Sequence, residues 1–256
     1  LGIGEWYSRS DDSNLPSDWK SNKSLVIAAL PFAITLGVLP YVTKLQKFLL
    51  AGFSNYEDVG LYHVAQLAWV AGLMLPQAMR AALLPYLGEV RNSEHRFARR
   101  MSLAHHWTLA ILPIGLVAGH TIVYFAIPQF FDAEYSSAIH IFDILLAGWA
   151  MTLLAIPWYV ALQAGNNPWR FTLLITMIVV VSLIAGWLLI PEYGVMGAAW
   201  ASLIGCCIML SASKLLCGDE DFMTDGLAMV CVVTCYFLSI ESWLAAIGLI
   251  TAIPAK

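Results

Sequence analysis

Charged residues are scarce in this sequence. Only 12% of its 256 residues are charged, whereas 60% are hydrophobic, and the mean hydropathy is +0.74. A soluble globular domain is about 25% charged and about 45–50% apolar. The chain therefore has more apolar side chains than one water-soluble core can bury. This composition favours an integral membrane protein.

The usual patterns of catalytic and metal sites are also missing from the sequence. Of its five cysteines, Cys231 and Cys235 share a helix face, but no histidine or acid completes a metal site beside them. There is no glycine-rich phosphate loop and no nucleophile elbow. We expect the cysteines to be small packing residues. The sequence predicts no cofactor, and it does not indicate an enzyme.

Long apolar windows, by contrast, are abundant. About 20 mostly apolar residues are enough for a helix to cross a bilayer. Such windows lie at 25–53, 60–88, 102–127, 139–163, 171–190 and 195–216. A weaker pair lies at 226–240 and 242–254, which could also be one helix interrupted by Glu241. The predicted fold is all-α and integral to the membrane, with about eight transmembrane helices.

Connecting segments that carry lysine or arginine alternate with segments that carry neither. Lysine and arginine occur in the segments 1–23, 89–100, 164–170 and 214–225. They are absent from the segments in between, which are 54–59, 128–138 and 191–194. The positive-inside rule then predicts a multi-pass protein whose N- and C-termini are both cytoplasmic. The chain opens with LGIGEWYSRS, which has no signal peptide, and we expect it to be the later part of a longer protein.

Two lysines lie inside the first apolar window, in the stretch PYVTKLQKFLLAG. Lys44 and Lys47 are three residues apart and therefore share a helix face. A lysine in hydrocarbon costs about 3 kcal/mol on insertion scales. One interpretation is that both ammonium groups snorkel to the outer headgroups. The other is that they face a water-filled cavity inside the protein, as intramembrane ionisable groups commonly do.

The second window carries a polar stripe on one face of its predicted helix. Within an arc of about 100° lie His63, Gln66, Gln77 and Arg80. The stripe predicts either a wet, cavity-facing side or hydrogen bonds from the two glutamines to neighbouring helices. Arg80 could equally line a cavity or anchor to lipid headgroups at the cytoplasmic end. In the fourth window, Asp143 and His140 are either a proton-relay pair or an ordinary polar contact.

Small residues repeat every four positions in the stretch GVMGAAWASLIG. The repeat consists of Gly197, Ala201 and Gly205. Small residues at this spacing allow two membrane helices to approach closely. We therefore expect this face to pack against another helix.

Four sequence motifs, in order, resemble those of the polysaccharide and O-antigen flippases. These flippases belong to the multidrug/oligosaccharidyl-lipid/polysaccharide exporter superfamily. The motifs are NYEDVGLYHVAQ, LLPYLGEV, FFDAEYSSA and LIPEYGVMGAAWAS, and the resemblance covers residues 25–216. Two positions depart from the family pattern. Gln46 stands where the family often has an acid, and Asp132 stands where glycine is usual.

The resemblance implies a transporter of two six-helix lobes around a central cavity, in the plasma (inner) membrane of a bacterium. Residues 24–217 would form the second lobe, with helices seven to twelve. Residues 1–23 would be the cytoplasmic linker from a missing N-terminal lobe, and residues 218–256 a final hydrophobic helix pair. The cargo would be a lipid-linked oligosaccharide, moved from the cytoplasmic to the outer leaflet by alternating access, with membrane lipids as the other partner and no nucleic acid.

Seven residues are then the candidates for lining the cavity and binding the anionic headgroup of this cargo: Lys44, Gln46, Lys47, His63, Gln66, Gln77 and Arg80. Two alternatives stay open. A multidrug or small-molecule exporter of the same superfamily would be favoured by acidic residues deep in the cavity. An integral-membrane transferase would need a cluster of Asp, His or Glu at one membrane face.

Overall fold

The computed structural model describes residues 19–42, 44–91, 93–165 and 167–218. Within these ranges the chain is all-helical, with no strand. The helices are α1 (Trp19–Val42), α2 (Leu45–Phe53), α3 (Tyr56–Gly72), α4 (Met74–Gly88), α5 (Glu94–Phe130), α6 (Ala138–Ala164) and α7 (Pro168–Cys217), with a short 3₁₀ helix at Ala133–Ser137 before α6. The expected final helix pair and most of the expected linker lie outside the described residues. Helix α1 begins at Trp19, inside the segment that the sequence assigns to the linker.

In the described ranges, four helical stretches are long and apolar enough to cross a membrane. They are Tyr56–Gly88, Glu94–Phe130, Glu134–Ala164 and Pro168–Cys217. Each coincides with one or two of the apolar windows in the sequence. Part of the basic segment 89–100 is not a loop, because Glu94–Arg100 forms the first turns of α5.

Helix α7 folds back on itself at Gly194. This glycine has φ +53° and ψ −126°, a conformation that residues with a Cβ rarely adopt. Gly197 lies so close to the preceding turn that an added Cβ would be 2.6 Å from the carbonyl carbon of Leu189. Gly205 lies against Ser182, although one straight helix would hold these residues about 35 Å apart. The two halves of α7 therefore form an antiparallel hairpin, which confirms the turn expected near 191–194 and the close packing at Gly197 and Gly205.

Helix α6 is the centre of the bundle. It packs against α3, α4, α5 and α7, and 83% of its apolar window is buried. Its apolar side chains point in every direction around the axis, which is the pattern of a helix surrounded by protein or lipid. Helices α3, α4, α5 and α7 each bury one side against α6, whereas α1 and α2 pack on α7.

Trp149 of α6 joins three helices at one level. Pro76 has no N–H group, so it cannot donate the helical hydrogen bond that the carbonyl of Gly72 would accept. The indole Nε1–H of Trp149 donates to that carbonyl over 2.9 Å. The far edge of the same ring touches Gly115 of α5, where an added Cβ would be 2.7 Å from the ring atom Cζ3. The break between α3 and α4 is thus stabilised by a side chain from α6.

The charges are separated between the two ends of the bundle. At one end, Asp58 lies near Gly194 and Tyr135 lies near Gly60, and the loops there carry acids but no lysine or arginine. We call this the acidic end. At the other end, Arg91 Nη1 donates to the carbonyl of Ala164 over 3.3 Å. We call this the basic end, and it holds the four arginines of segment 89–100.

Candidate functional site

Exposed or half-buried polar side chains lie on α2, α3 and α4. Lys44 precedes α2 and is exposed, and Lys47 lies one turn later and is half-buried. On the neighbouring helices, His63 and Gln77 are exposed among apolar residues. We call the surface formed by these four residues the α2–α4 face. It contains four of the seven residues that the sequence proposes for a cavity.

Lys47 and His63 are in direct contact across α2 and α3. The distance between Lys47 Nζ and His63 Nδ1 is 3.0 Å. An ammonium group has no lone pair, so Nδ1 must accept this hydrogen bond, and the ring proton is assigned to Nε2. Lys47 therefore has a neutral partner, and its positive charge is not cancelled by a neighbouring carboxylate.

Gln46 and Gln66 are inside the bundle and do not belong to this open surface. Gln46 is 3% exposed, and its Nε2 donates to the carbonyl of Ser182 over 2.9 Å. Its Oε1 fills the space beside Gly186, where an added Cβ would be 2.5 Å away. Gln66 is 7% exposed. The placement of these two residues differs from the expected cavity lining, because helix packing on α7 and α6 covers the faces on which they lie.

Arg80 is held between α4 and α6. Its Nε donates to Gln163 Oε1 over 3.1 Å, and its guanidinium carbon lies 5.3 Å from the ring centre of Tyr159. A cation over an aromatic face is attracted by the negative face of the ring. The sequence could not indicate Gln163 or Tyr159 as partners of Arg80, because about 80 residues separate them along the chain.

A cavity of about 690 Å³ opens at the basic end, between α5, α6 and the two termini of α7. Among its lining residues are His105, Trp158 and Arg170. Its size is within the range of small-molecule sites, about 300–1,000 Å³. Neither Lys47 nor His63 lines it, so this cavity and the α2–α4 face are separate features.

Metal-site geometry is not found in the part of the chain that the structure describes. There, no group of three His, Cys, Asp or Glu residues is placed to hold a metal ion. Cys206 and Cys207 of α7 are free thiols. The hydroxyl of Thr152 donates a hydrogen bond to Cys206 Sγ over 3.6 Å. Cys231 and Cys235 lie outside the described residues.

Comparison with known proteins does not identify a family for this chain. No family model, no curated protein and no solved structure matches this chain. The fold and the site therefore define a class: an all-helical protein with helices long and apolar enough to cross a membrane. Anything more particular must be argued from the residues.

Proposed function

We propose that this chain is one lobe of a membrane transporter that moves lipid-linked oligosaccharide or polysaccharide repeat units across the bilayer. Transport runs from the cytoplasmic to the outer leaflet by alternating access, without an enzymatic step. The basic end faces the cytoplasm, as the positive-inside rule requires, and the host membrane is the inner membrane of a bacterium. The second lobe, formed by an N-terminal half of the protein, closes the groove.

The observation that carries this proposal is the set of cations held by neutral partners. Lys47 contacts His63, and Arg80 contacts Gln163 and Tyr159. Among the described residues, neither cation lies within ion-pair distance of a carboxylate. Cations in apolar helices are costly, so an arrangement that leaves their charge uncancelled favours binding of an anion. The diphosphate of a lipid-linked sugar supplies such an anion.

The shape of the lobe supports a shared groove. Helix α6 is covered on all sides, whereas the α2–α4 face is open. Lys44, Lys47 and His63 lie on the part of that face nearer the acidic end, and Gln77 lies closer to the basic end. A second lobe facing this surface would enclose polar groups along the path of a headgroup. A single lobe cannot enclose them.

The two alternative functions, a small-molecule exporter and a transferase, would each require acidic residues that this proposal does not. An exporter of cationic small molecules would place carboxylates on the α2–α4 face, but the described residues of that face are cationic or neutral. A transferase would need several acids or histidines in one place at a membrane surface. The arrangement therefore favours an anionic cargo.

The proposal is tested by removing the two lysine charges in the full-length protein. The double variant Lys44→Gln, Lys47→Gln should lose at least about tenfold in surface polysaccharide export, because hydrogen bonds to charged groups contribute about 1.5–3 kcal/mol. Export is measured by complementing a deletion strain at equal membrane abundance. The double Lys→Arg variant keeps both charges and should retain much of the activity.

Arg96→Gln is the matched control. Arg96 is exposed at the basic end, and within the described part of the chain its side chain donates to the hydroxyl of Ser93 alone. Losing its charge should therefore leave export unchanged. Full export by the double Gln variant would refute an anion-binding role for these lysines. Equal losses from Arg96→Gln and the double variant would point to a general charge effect.

A further inference from the structure

A buried carboxylate and an imidazole meet between α5 and α6. Asp143 Oδ1 of α6 lies 2.7 Å from His120 Nδ1 of α5. Asp143 is only 3% exposed, whereas the side chain of His120 is 28% exposed. The sequence suggested His140 as the partner of Asp143, but the structure gives that position to a histidine from another helix. The pair takes no part in the α2–α4 face.

The pair lies inside the membrane span. Asp143 is five residues from the start of α6, which corresponds to about 8 Å along the axis. His120 is ten residues from the end of α5, about 15 Å from the acidic end. Ionisable residues at such depth are rare in membrane helices, and they commonly mark ion pathways or proton relays.

The groups near the pair include a second histidine and a tyrosine. His140 is exposed and lies one turn closer to the acidic end. His120 stacks on Tyr124, with ring centres 6.1 Å apart. On the helices packed on α6, Tyr62 pairs with Ser202, Cys206 with Thr152, and Arg80 with Gln163. The 3₁₀ helix that also packs on α6 adds Glu134 and Tyr135.

The chemistry of the pair suits a proton and not a metal ion. With one proton the pair is neutral, either as carboxylate and imidazolium or as carboxylic acid and imidazole. With no proton or with two protons it carries a net charge, which a low-dielectric span disfavours. A hard cation would need about six oxygen ligands, whereas the described charged neighbours of Asp143 are imidazoles.

We propose that His120 and Asp143 form a proton-binding site that couples transport to a proton gradient. The pair exchanges its proton through His120, whose side chain is 28% exposed, so each transfer moves one proton and no other group. Because the pair joins α5 to α6, the proton that it holds affects how α5 packs on α6. This inference rests on the proposed transport function, and the coupling ion is the proton.

The first experiment follows the site itself in the full chain in lipid nanodiscs. Nitrogen-15 signals of the histidines are recorded between about pH 5 and 8, the range in which histidine side chains titrate. The His120 signal, identified by its loss in His120→Gln, should change with pH in the wild type. Its midpoint should move in Asp143→Asn, while the His106 signal should not. A His120 signal that does not respond to pH would overturn the proposal.

The second experiment measures coupling, which a purely structural hydrogen bond would not affect. In cells or proteoliposomes, export by the full-length wild type should rise when a proton gradient is imposed. Asp143→Asn should keep the export that occurs without a proton gradient, but its export should not rise when a gradient is imposed. Asp143→Glu should restore part of that rise. Lys47→Gln should show the opposite pattern, with less export but an intact response.

These outcomes separate the two proposals. If the wild type exports no lipid-linked oligosaccharide, the transport proposal fails, and the nitrogen-15 titration still decides whether the pair binds an exchangeable proton. If export occurs and folded Asp143→Asn responds to the gradient as the wild type does, the proton-coupling proposal fails alone. His120→Gln provides the same comparison if Asp143→Asn does not fold.

Discussion

Helices α5 and α6 have apolar windows of equal mean hydropathy, yet their environments differ completely. In α6, 83% of the window is buried inside the bundle, whereas in α5 only 22% is buried. Helix α6 is surrounded by four other helices, while α5 packs mainly on α6 and exposes its opposite side. Hydropathy therefore predicts that both helices can cross a membrane, but it does not predict which one lies in the centre.

The face of α5 that meets α6 includes two glycines among larger residues. The face towards α6 carries Gly115 and Gly119, which touch Trp149 and Leu146. The exposed face carries large apolar residues such as Phe125. Lipid is as apolar as leucine, so close packing of small residues, and not water exclusion, determines which side meets the protein.

The largest expected effect comes from deleting the indole that joins the helices. Trp149 is 4% exposed, and Trp149→Ala should lower the free energy of unfolding by about 3–5 kcal/mol, because it leaves a large cavity and removes the donor to Gly72. Trp107 of α5 is 60% exposed, and Trp107→Ala should change stability by less than about 1 kcal/mol. Denaturant titrations in micelles compare the two variants. Equal losses would contradict the central position of α6.

A smaller effect is expected from adding one methyl group at the contact. In Gly115→Ala the new Cβ would overlap the Trp149 ring, which should cost about 1–3 kcal/mol. At Gly52 of α2 nothing lies within 4 Å of the added atom, so Gly52→Ala should be neutral or stabilising by up to about 1 kcal/mol. The same titrations measure both. The penalty should shrink when Gly115→Ala is combined with Trp149→Leu, and an unchanged penalty would mean that the ring is not the obstacle.

The smallest effect is expected at Gly148, on the side of α6 that faces α7. An added Cβ would be 3.3 Å from Cys206 Sγ, a tight contact that a small shift can relieve. The gain in helix propensity from alanine, about 1 kcal/mol, offsets much of this strain. Gly148→Ala should therefore change the free energy of unfolding by less than about 1 kcal/mol, and it should become stabilising in a Cys206→Ala background. A loss as large as that from Gly115→Ala would show that this interface is as rigid as the one with α5.

Much of the secondary structure could be predicted from the sequence. The apolar windows between residues 60 and 216 coincide with the four membrane-length helical stretches, whereas window 25–53 is divided between α1 and α2. The turn near Gly194 and the close contacts of Gly197 and Gly205 follow from local spacing. The separation of acidic and basic ends also follows from the loops. These features depend on residues within a few turns of one another, where helix geometry and turn chemistry determine the result.

The candidate site was only partly predictable. The sequence placed Lys47 and His63 in one set of cavity candidates, but it did not predict that the two side chains would be in contact. It did not predict that Gln46 would be covered by α7, or that Asp143 would bind His120. In each of these cases the partner lies on a helix that periodicity alone cannot assign as a neighbour.

The sequence by itself determined that this chain forms apolar helices, where they turn, and which end carries the positive charge. Only the tertiary structure decided that α6 lies in the centre, which polar groups are covered, and which charges meet. The reason is physical: local spacing determines a helix and its faces. In an apolar surrounding, however, the choice of neighbouring helix depends on how side chains of particular shapes fit together, and that fit appears only when residues such as Gly115 and Trp149 are in contact.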